Sequence, residues 1–492
     1  MSDTEHLPFD NSYSTQLKGF YAPWEPHGAY TPSMAIFNHT LAKELGLDTL
    51  CHDQAYAARI LSGHMLPEGA APLAQRYAGH QFGHFSPELG DGRAILLGEL
   101  ITPAEKRVDV HLKGVGQTAF SRGGDGRAGI GPVLREYLLS EAMHALGVPT
   151  TRALAAITTG EQIMRQQASP GAVLARVADS HIRVGTFEYF AARSQVKQVR
   201  QLADYTLARH FPHLQDSDNP YLALIDVVSS SQAHLIASWM WVGFVHGVMN
   251  TDNTAISGQT LDYGPCAFLD HYKPDAVFSS IDRHGRYAYQ QQPAIGLWNV
   301  ASFAESLLPL LDNNQETAVG LGTEVVQRFE HHYQLYWLDM GRAKLGLITE
   351  QSEDKSLIED LLVLLAQHQV DFTGAFRALA DSLTQGAPFF LSFFNAPSAA
   401  SSWYQRWCAR ADIESYNIKA RQALMYQVNP VYIPRNHLVE GALTQVIEQD
   451  DYSEFETLLG LVRRPHVFRP GFDHYRQPAP ASFGPYQTFC GT

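Results

Sequence analysis

The chain has 492 residues, with 36 basic side chains against 50 acidic ones and a formal charge of −14. That balance argues against nucleic acid or an anionic membrane as the main partner, while leaving room for a local basic pocket. A 45 % share of hydrophobic residues allows large buried cores, and a chain this long is expected to form two or more domains of about 150 residues each.

The first residues, MSDTEHLPFDNSY, hold neither a basic region nor an apolar run, so no targeting segment is read there. The most apolar stretch, His234–Met249, falls short of the ~20 residues needed to span a bilayer and contains two histidines; it reads as a buried helix. Cys51, Cys266, Cys408 and Cys490 are scattered and form no CxxC, which suits a reduced, cytoplasmic protein.

Residues 1–88 are mixed, with a helix predicted over Met34–Leu45 and ended by Gly46. Strands follow at Ala94–Leu97 and Val108–Leu112. In the second, Val108, Val110 and Leu112 alternate toward a core and place Asp109, His111 and Lys113 on the other face. Pro132–Leu146 is a strong helix, with Pro132 in its first turn and Gly147-Val148-Pro149 ending it. Short strands are predicted at Leu154–Thr158 and Ala172–Val177. Helices then dominate: Gln198–Arg209, Ser229–Val248, Val300–Leu311, Thr323–Leu345, Ser356–Gln369, Thr373–Leu383, Ile413–Val428, Asn436–Glu448 and Tyr452–Leu461. The tail past Arg464, rich in Pro and aromatics, reads as irregular. The expected organisation is an N-terminal segment (1–88), a β-rich region (89–190), a helical region with an embedded hairpin (191–345) and a helical extension (346–492).

The segment His246–Pro265, HGVMNTDNTAISGQTLDYGP, is the most informative. Ser257-Gly258 or Gly258-Gln259 can serve as a two-residue hairpin loop. Asn253 then lies opposite or diagonal to Asp262, with side chains starting about 5–8 Å apart. An amide oxygen and a carboxylate so placed can share one Mg²⁺, a hard cation that takes oxygen ligands. Asp252 is left for another task. Lys113 ends a strand before a glycine-rich loop, and Glu136 lies on the first turn of the next helix. A strand lysine paired with a helix glutamate can orient the lysine toward phosphates. GDGRA occurs twice, at Gly90–Ala94 and Gly124–Ala128, as Asp-Gly turns that each present an arginine. Turn N–H groups and the guanidinium forks of Arg93, Arg122, Arg127, Arg176 and Arg183 suit phosphate. His80 and His84 have a metal-ligand spacing, but Gly79 and Gly83 speak against the helix it would need.

These residues follow a protein-kinase order: glycine turns, strand lysine, helix glutamate, a loop beginning with His, then Asp-aromatic-Gly. One departure stands out. Kinases carry HRDxxxxN; here Asn253 keeps the offset, but Val248 holds the place of the catalytic Asp. With GHQFG, LGDGRA, HLKGVGQT, SRGGDGRA, REYLLSEAMHALGVPTTRAL, HGVMNTDN and LDYGPCAFLD, the chain resembles the selenoprotein O family, called YdiU in bacteria. The resemblance spans nearly the whole chain and is densest over residues 72–300.

The resemblance implies an α+β, protein-kinase-like two-lobe fold with a β-rich N-lobe, a mostly helical C-lobe and a helical C-terminal extension. It implies ATP bound in a flipped orientation and transfer of AMP to Ser, Thr or Tyr hydroxyls of protein substrates, with release of pyrophosphate. Carried over by position, Asp252 is the base, Lys113 and Glu136 the ion pair, and Asn253 and Asp262 the ligands of Mg²⁺ or Mn²⁺. Gly90, Gly92, Arg93, Lys113, Asp125, Gly126, Arg176, Arg183 and Asp262 match nucleotide-binding positions. Cys490 holds the place of a near-terminal cysteine or selenocysteine that, in some relatives, pairs with a cysteine after the Asp-Tyr-Gly turn. PDAVFSSID has none there, so Cys266 is the nearest partner; the alternative is a solitary exposed thiol. The competing readings are a kinase-type phosphotransferase, a nucleotide-sensing scaffold, and UMP transfer with Mn²⁺.

Overall fold

A computed structural model describes residues 7–165 and 167–489; Cys490 lies outside the described residues. The N-terminal half runs α1 (Ser12–Gln16), β1 (Tyr21–Pro23), β2 (Ser33–Phe37), α2 (His39–Glu44), α3 (Gln54–Leu61), β3 (Leu73–Gln75), β4 (Gly79–Gln81), β5 (His84–Ser86), β6 (Ala94–Ile101), β7 (Arg107–Lys113), β8 (Ala128–Gly129), α4 (Ile130–Ala145), β9 (Arg152–Met164) and β10 (Ala168–Ala178). A mostly helical half follows: α5 (Val184–Ala191), α6 (Val196–His210), α7 (Pro220–Val242), β11 (Phe244–Val245), β12 (Ala267–Phe268), α8 (Gln292–Leu311), α9 (Gln315–Lys344), α10 (Asp354–Gln367), α11 (Phe372–Gln385), α12 (Ala387–Leu391), α13 (Pro397–Ala411), α14 (Ile418–Val428), α15 (Asn436–Gln449) and α16 (Ser453–Val462). The architecture is α+β.

An antiparallel sheet in the order β1-β3-β6-β7-β10-β9-β2, with β8 beside β10, forms the frame. Val108, Val110 and Leu112 of β7 enter an apolar core with α2 and α3, as their alternation predicts. The other face of β7 is not solvated: Asp109 and His111 are almost fully buried and Lys113 is 7 % exposed. Helix α4 packs against β9 and β10 on one side and α15 and α16 on the other. That double cover buries all but three of its sixteen residues, charged Arg135, Glu136 and Glu141 included. The helices α10–α14 gather a separate aromatic core around Phe376, Phe390, Trp403 and Trp407. One described helical span, Tyr289–Leu311, is long and apolar enough to cross a membrane; its Ile295, Val300, Phe303 and Leu307 fill the protein cores.

Several predicted elements need correction. Met34–Phe37 is strand, not helix, because Ser33–Phe37 pairs with β9; the helix begins after Asn38, whose side chain accepts from Leu41 N. The helix predicted to reach Val248 stops at Val242, where Gly243 adopts φ 72 and turns the chain into β11. Ile413–Val428 is helical only from Ile418, where Asn417 caps by accepting from Ala420 N. Helices α1, α3, α5, α12 and α13 are not among the predicted elements. The short strands expected at Leu154–Thr158 and Ala172–Val177 are the centres of the long β9–β10 ribbon.

The hairpin at His246–Pro265 also differs. Its arms pair as strands only at their base, Phe244 opposite Phe268 and Val245 opposite Ala267. Near the tip a single bridge joins Thr254 to Thr260, and Thr251–Asn253 forms a 3₁₀ turn. The bridge leaves a longer loop than two residues, so Asn253 and Asp262 are not held as a ladder pair. Lys113 of β7 holds Asp262 instead, and the Val248 carbonyl of the same loop holds Asn253.

Candidate active site

Lys113 is the last residue of β7, flanked in the sheet by Ala94 and Leu174. Its Nζ donates to Glu136 Oε2 at 2.5 Å and to Asp262 Oδ1 at 2.7 Å. Arg176 of β10 donates to the other Glu136 oxygen at 3.0 Å. A register shift between Ala175 and Arg176 re-aims the strand there. The predicted strand–helix ion pair is thus present and extends to the Asp-Tyr-Gly turn.

Asp262 has φ 79, a left-handed conformation that Asp tolerates better than most residues. Burial alone would raise its pKa, but the Lys113 ammonium and the Arg93 guanidinium outweigh that and hold it below the usual carboxylate range. The side chain keeps 28 % of its surface exposed, so the direct ion pair is the firmer reason for its charge. Arg93, Lys113, Glu136 and Asp262 share the lining of a cavity of about 320 Å³. Leu443 and Ile447 of α15 close one side, and Tyr486–Phe489 of the tail close another. The tail sits there because Thr488 N donates to Phe278 O at 2.8 Å and Thr488 Oγ1 to Pro265 O at 2.7 Å.

Asp252 lies in the 3₁₀ turn and is 7 % exposed. Its backbone carbonyl accepts from Arg183 Nη1 at 2.9 Å, and Oδ2 accepts from Gln81 Nε2 at 3.3 Å. Among the described residues the buried Oδ1 has no hydrogen-bond partner. Burial pushes the carboxyl up to about 6, against the opposing pull of Arg183. Gly79 makes the room: a Cβ there would stand 2.5 Å from Asp252 Oδ1. Beside it, Asn253 Nδ2 donates to Val248 O at 3.1 Å, which commits the amide nitrogen and leaves the amide oxygen as the donor for a cation.

The predicted glycines are fixed by packing. Gly90 has φ 93 and faces the Phe120 ring, where a Cβ would come within 2.4 Å; Gly126 has φ 68 and would press a Cβ to 2.0 Å from Gly116 O. Gly92 lies against Phe120 O. Asp125 is on an exposed loop, paired with Arg165 at 2.7 Å. Of the five arginines, Arg93 lines the cavity, and Arg176 and Arg183 are buried outside its lining. Arg127 pairs with Glu161, and Arg122 is exposed in its turn. His80 and His84 lie on facing strands of the β4–β5 hairpin, and His80 Nδ1 is 2.7 Å from Glu188 Oε1.

Sequence reasoning missed Asp91, His111 and Gln81. Asp91, between the two predicted glycines, is buried and accepts from Gln75 N at 3.0 Å and Arg183 Nη2 at 3.3 Å. The strand alternation had placed His111 beside Lys113, and its burial was the missing clue. Gln81 was visible only as part of GHQFG.

The family model described as "Protein adenylyltransferase SelO" matches residues 3–463. The chain belongs to the SelO family. Proteins named "Protein nucleotidyltransferase YdiU" are similar along nearly their whole length. That of Rhizobium etli is 52 % identical over 98 % of this chain and 97 % of its own. That of Sphingopyxis alaskensis is 52 % identical over 98 % and 99 %, and that of Syntrophotalea carbinolica 51 % over 98 % and 97 %. The SelO family is one of enzymes, nucleotidyltransferases, whose chemistry calls for a nucleotide and a divalent metal ion.

The residues present fit such an ion. Among the described residues no three His, Cys, Asp or Glu side chains cluster for a metal. Mg²⁺, however, commonly takes one or two protein oxygens and completes its shell with phosphates and water. An ionised Asp262 and the Asn253 amide oxygen are protein oxygens of the kind that would hold it. Redox chemistry at Cys266 is less well served. Its thiol is fully buried, donates to Tyr263 O at 3.3 Å, and is pushed up to about 12 by burial. That disfavours the thiolate needed for exchange.

Proposed function

We propose that this SelO protein is an adenylyltransferase that moves AMP from flipped ATP to protein hydroxyls, with Mg²⁺ at Asn253 and Asp262. The observation that carries the reading is the buried, unpartnered Asp252 Oδ1 one residue from Asn253, with Val248 standing where a kinase would hold its base. The sheet with α4 on one side and the helical half on the other suits a two-lobe, protein-kinase-like arrangement. Residues 89–190 then hold the nucleotide, 191–345 carry the catalytic loop, and 346–492 form the extension.

In this reading the acceptor hydroxyl donates to Asp252 Oδ1, which takes its proton as the oxygen attacks the α-phosphorus and pyrophosphate departs. General-base assistance of this kind is worth about 10²–10⁴-fold. A carboxyl raised to about 6 is basic enough to help and still largely ionised near neutrality. Lys113, Arg93, Arg176 and Arg183 are the cations available to the leaving phosphates, and as fixed charges they need little reorganisation. A bound divalent ion would neutralise developing charge on the phosphates.

The test is transfer of label from ATP to a protein acceptor or to the enzyme itself. Label from the α-phosphate, with a mass gain of one AMP, supports the reading. Label from the γ-phosphate would replace it with a kinase. Preference for UTP with Mn²⁺ over ATP would replace AMP with UMP.

A further inference from the structure

Asp262, Lys113, Arg176, Arg183 and Asp252, which were assigned above to the metal, the phosphates and the base, belong to one hydrogen-bonded chain. From Asp262 it runs through Lys113 and Glu136 to Arg176. Arg176 Nε then donates to His111 Nδ1 at 3.2 Å. His111 Nε2 lies 3.3 Å from Asp91 Oδ2, and Arg183 Nη2 reaches Asp91 Oδ1 at 3.3 Å. Arg183 finally donates to the backbone carbonyl of Asp252. His111 and Asp91 are the links for which the mechanism has no use.

Donor logic fixes the state of His111. A guanidinium only donates, so Nδ1 must accept, and the single ring proton sits on Nε2 and points at Asp91. The ring is fully buried and stacks on His181 at 4.2 Å. Burial, reinforced by Arg176 and Arg183, keeps it neutral. His181 in turn is held by Asp109, which Arg209 also grips at 2.6 Å. A protonated His111 would lose its bond from Arg176, so neutrality is part of the arrangement.

We propose that His111 and Asp91 are positioning residues that lock Arg176 and Arg183 into one register, so that the nucleotide's phosphates meet both arginines preset. The inference rests on the nucleotide role given to those arginines above. Neither residue touches a reacting atom. Their effect passes through the guanidiniums, which without a buried acceptor would swing or leave polar atoms unpaired.

Full-length variants are tested for ATP affinity by calorimetry with Mg²⁺ present. His111→Leu removes both links and should weaken ATP about tenfold, the scale of a lost buried polar partner. His111→Gln offers an accepting oxygen and a donating N–H, and should recover affinity to within about threefold. On an Arg176→Ala background, His111→Leu should add less than about twofold, because the residue it positions is gone. Equal losses for Leu and Gln, or a full Leu penalty on that background, would reduce His111 to packing and overturn the proposal. If His111→Leu does not fold, Asp91→Asn makes the test from the other end by turning one acceptor into a donor. A tenfold loss supports the bridge, and unchanged affinity overturns it. A wild type that binds ATP but transfers the γ-phosphate would sink the function proposed above and leave this comparison standing.

Discussion

The sheet–helix junction and the C-terminal extension both bury charge, and they treat it in opposite ways. At the junction, Lys113, Glu136, Arg176, His111, Asp91 and Arg183 are linked side chain to side chain, each charge facing its complement. In the extension, Arg410 is paired with Asp354 and Glu414, but Lys344, at the end of α9 where the extension packs on it, has no ion-pair partner among the described residues. It donates to Asn429 Oδ1 at 3.2 Å and lies 5.0 Å from the Phe376 ring, and burial with the Lys344 charge pushes the neighbouring His466 down to about 4, so that ring is neutral. Burial lowers it to about 7. Linked charge can be spent on a ligand, whereas solitary charge only weighs on the fold. The junction is therefore where substitutions should alter chemistry, and the extension where they should alter stability.

The sharpest break in that contrast comes from Asp252→Ala. It should lower transfer about 10²–10⁴-fold with an unchanged melting curve, measured as labelled product per enzyme beside a thermal scan; a comparable fall in Tm would make the residue structural. In the extension, Trp407→Ala should do the reverse. Trp407 is fully buried and donates to Leu345 O at 3.0 Å, so truncation should cost about 3–5 kcal/mol in denaturant unfolding. The nucleotide KM of the protein that remains folded should not move. Gly79→Ala is a subtler junction test. The new methyl would collide with the Asp252 carboxylate, and displacement of that order should lower kcat about tenfold to a hundredfold while ATP affinity holds.

The smallest effect is a pH slope. Lys344 binds its proton less tightly folded than unfolded, so between about pH 7 and its ordinary value the unfolded chain holds more protons. Stability should therefore rise with pH across pH 7–9, by about 1 kcal/mol per unit from this group. Lys344→Met should flatten that slope in urea titrations and leave the pH profile of transfer unchanged. A slope identical in the two proteins would mean that folded Lys344 keeps its proton across that range.

Much of the frame was legible because it rests on short-range pattern. The β7 alternation, Pro132 in the first turn of α4 and the glycine turn at its end were all readable, and so was the Lys113–Glu136 ion pair. Less legible was anything decided by what packs on top. The polar face of β7 looks like a solvent face until α4 and α6 cover it, and only then do His111 and Asp109 become buried partners. Met34 belongs to a helical pattern locally, yet an edge position beside β9 outweighs propensity. The hairpin was misread for the same reason: Thr254 and Thr260 pair, but Arg183 and Gln81 decide where Asp252 goes. The tail offered no periodicity at all, and its place at the cavity follows from bonds of Thr488 to the carbonyls of Phe278 and Pro265.

That seat has a thermodynamic corollary. Tyr486–Phe489 touch the same hollow as Arg93 and Asp262, so whatever fills the hollow and leans on those residues must tighten their grip on the body of the protein. By reciprocity, loosening them must loosen the occupant by the same factor. Protease resistance of the last turns of chain is then a gauge of occupancy, readable without following any reaction.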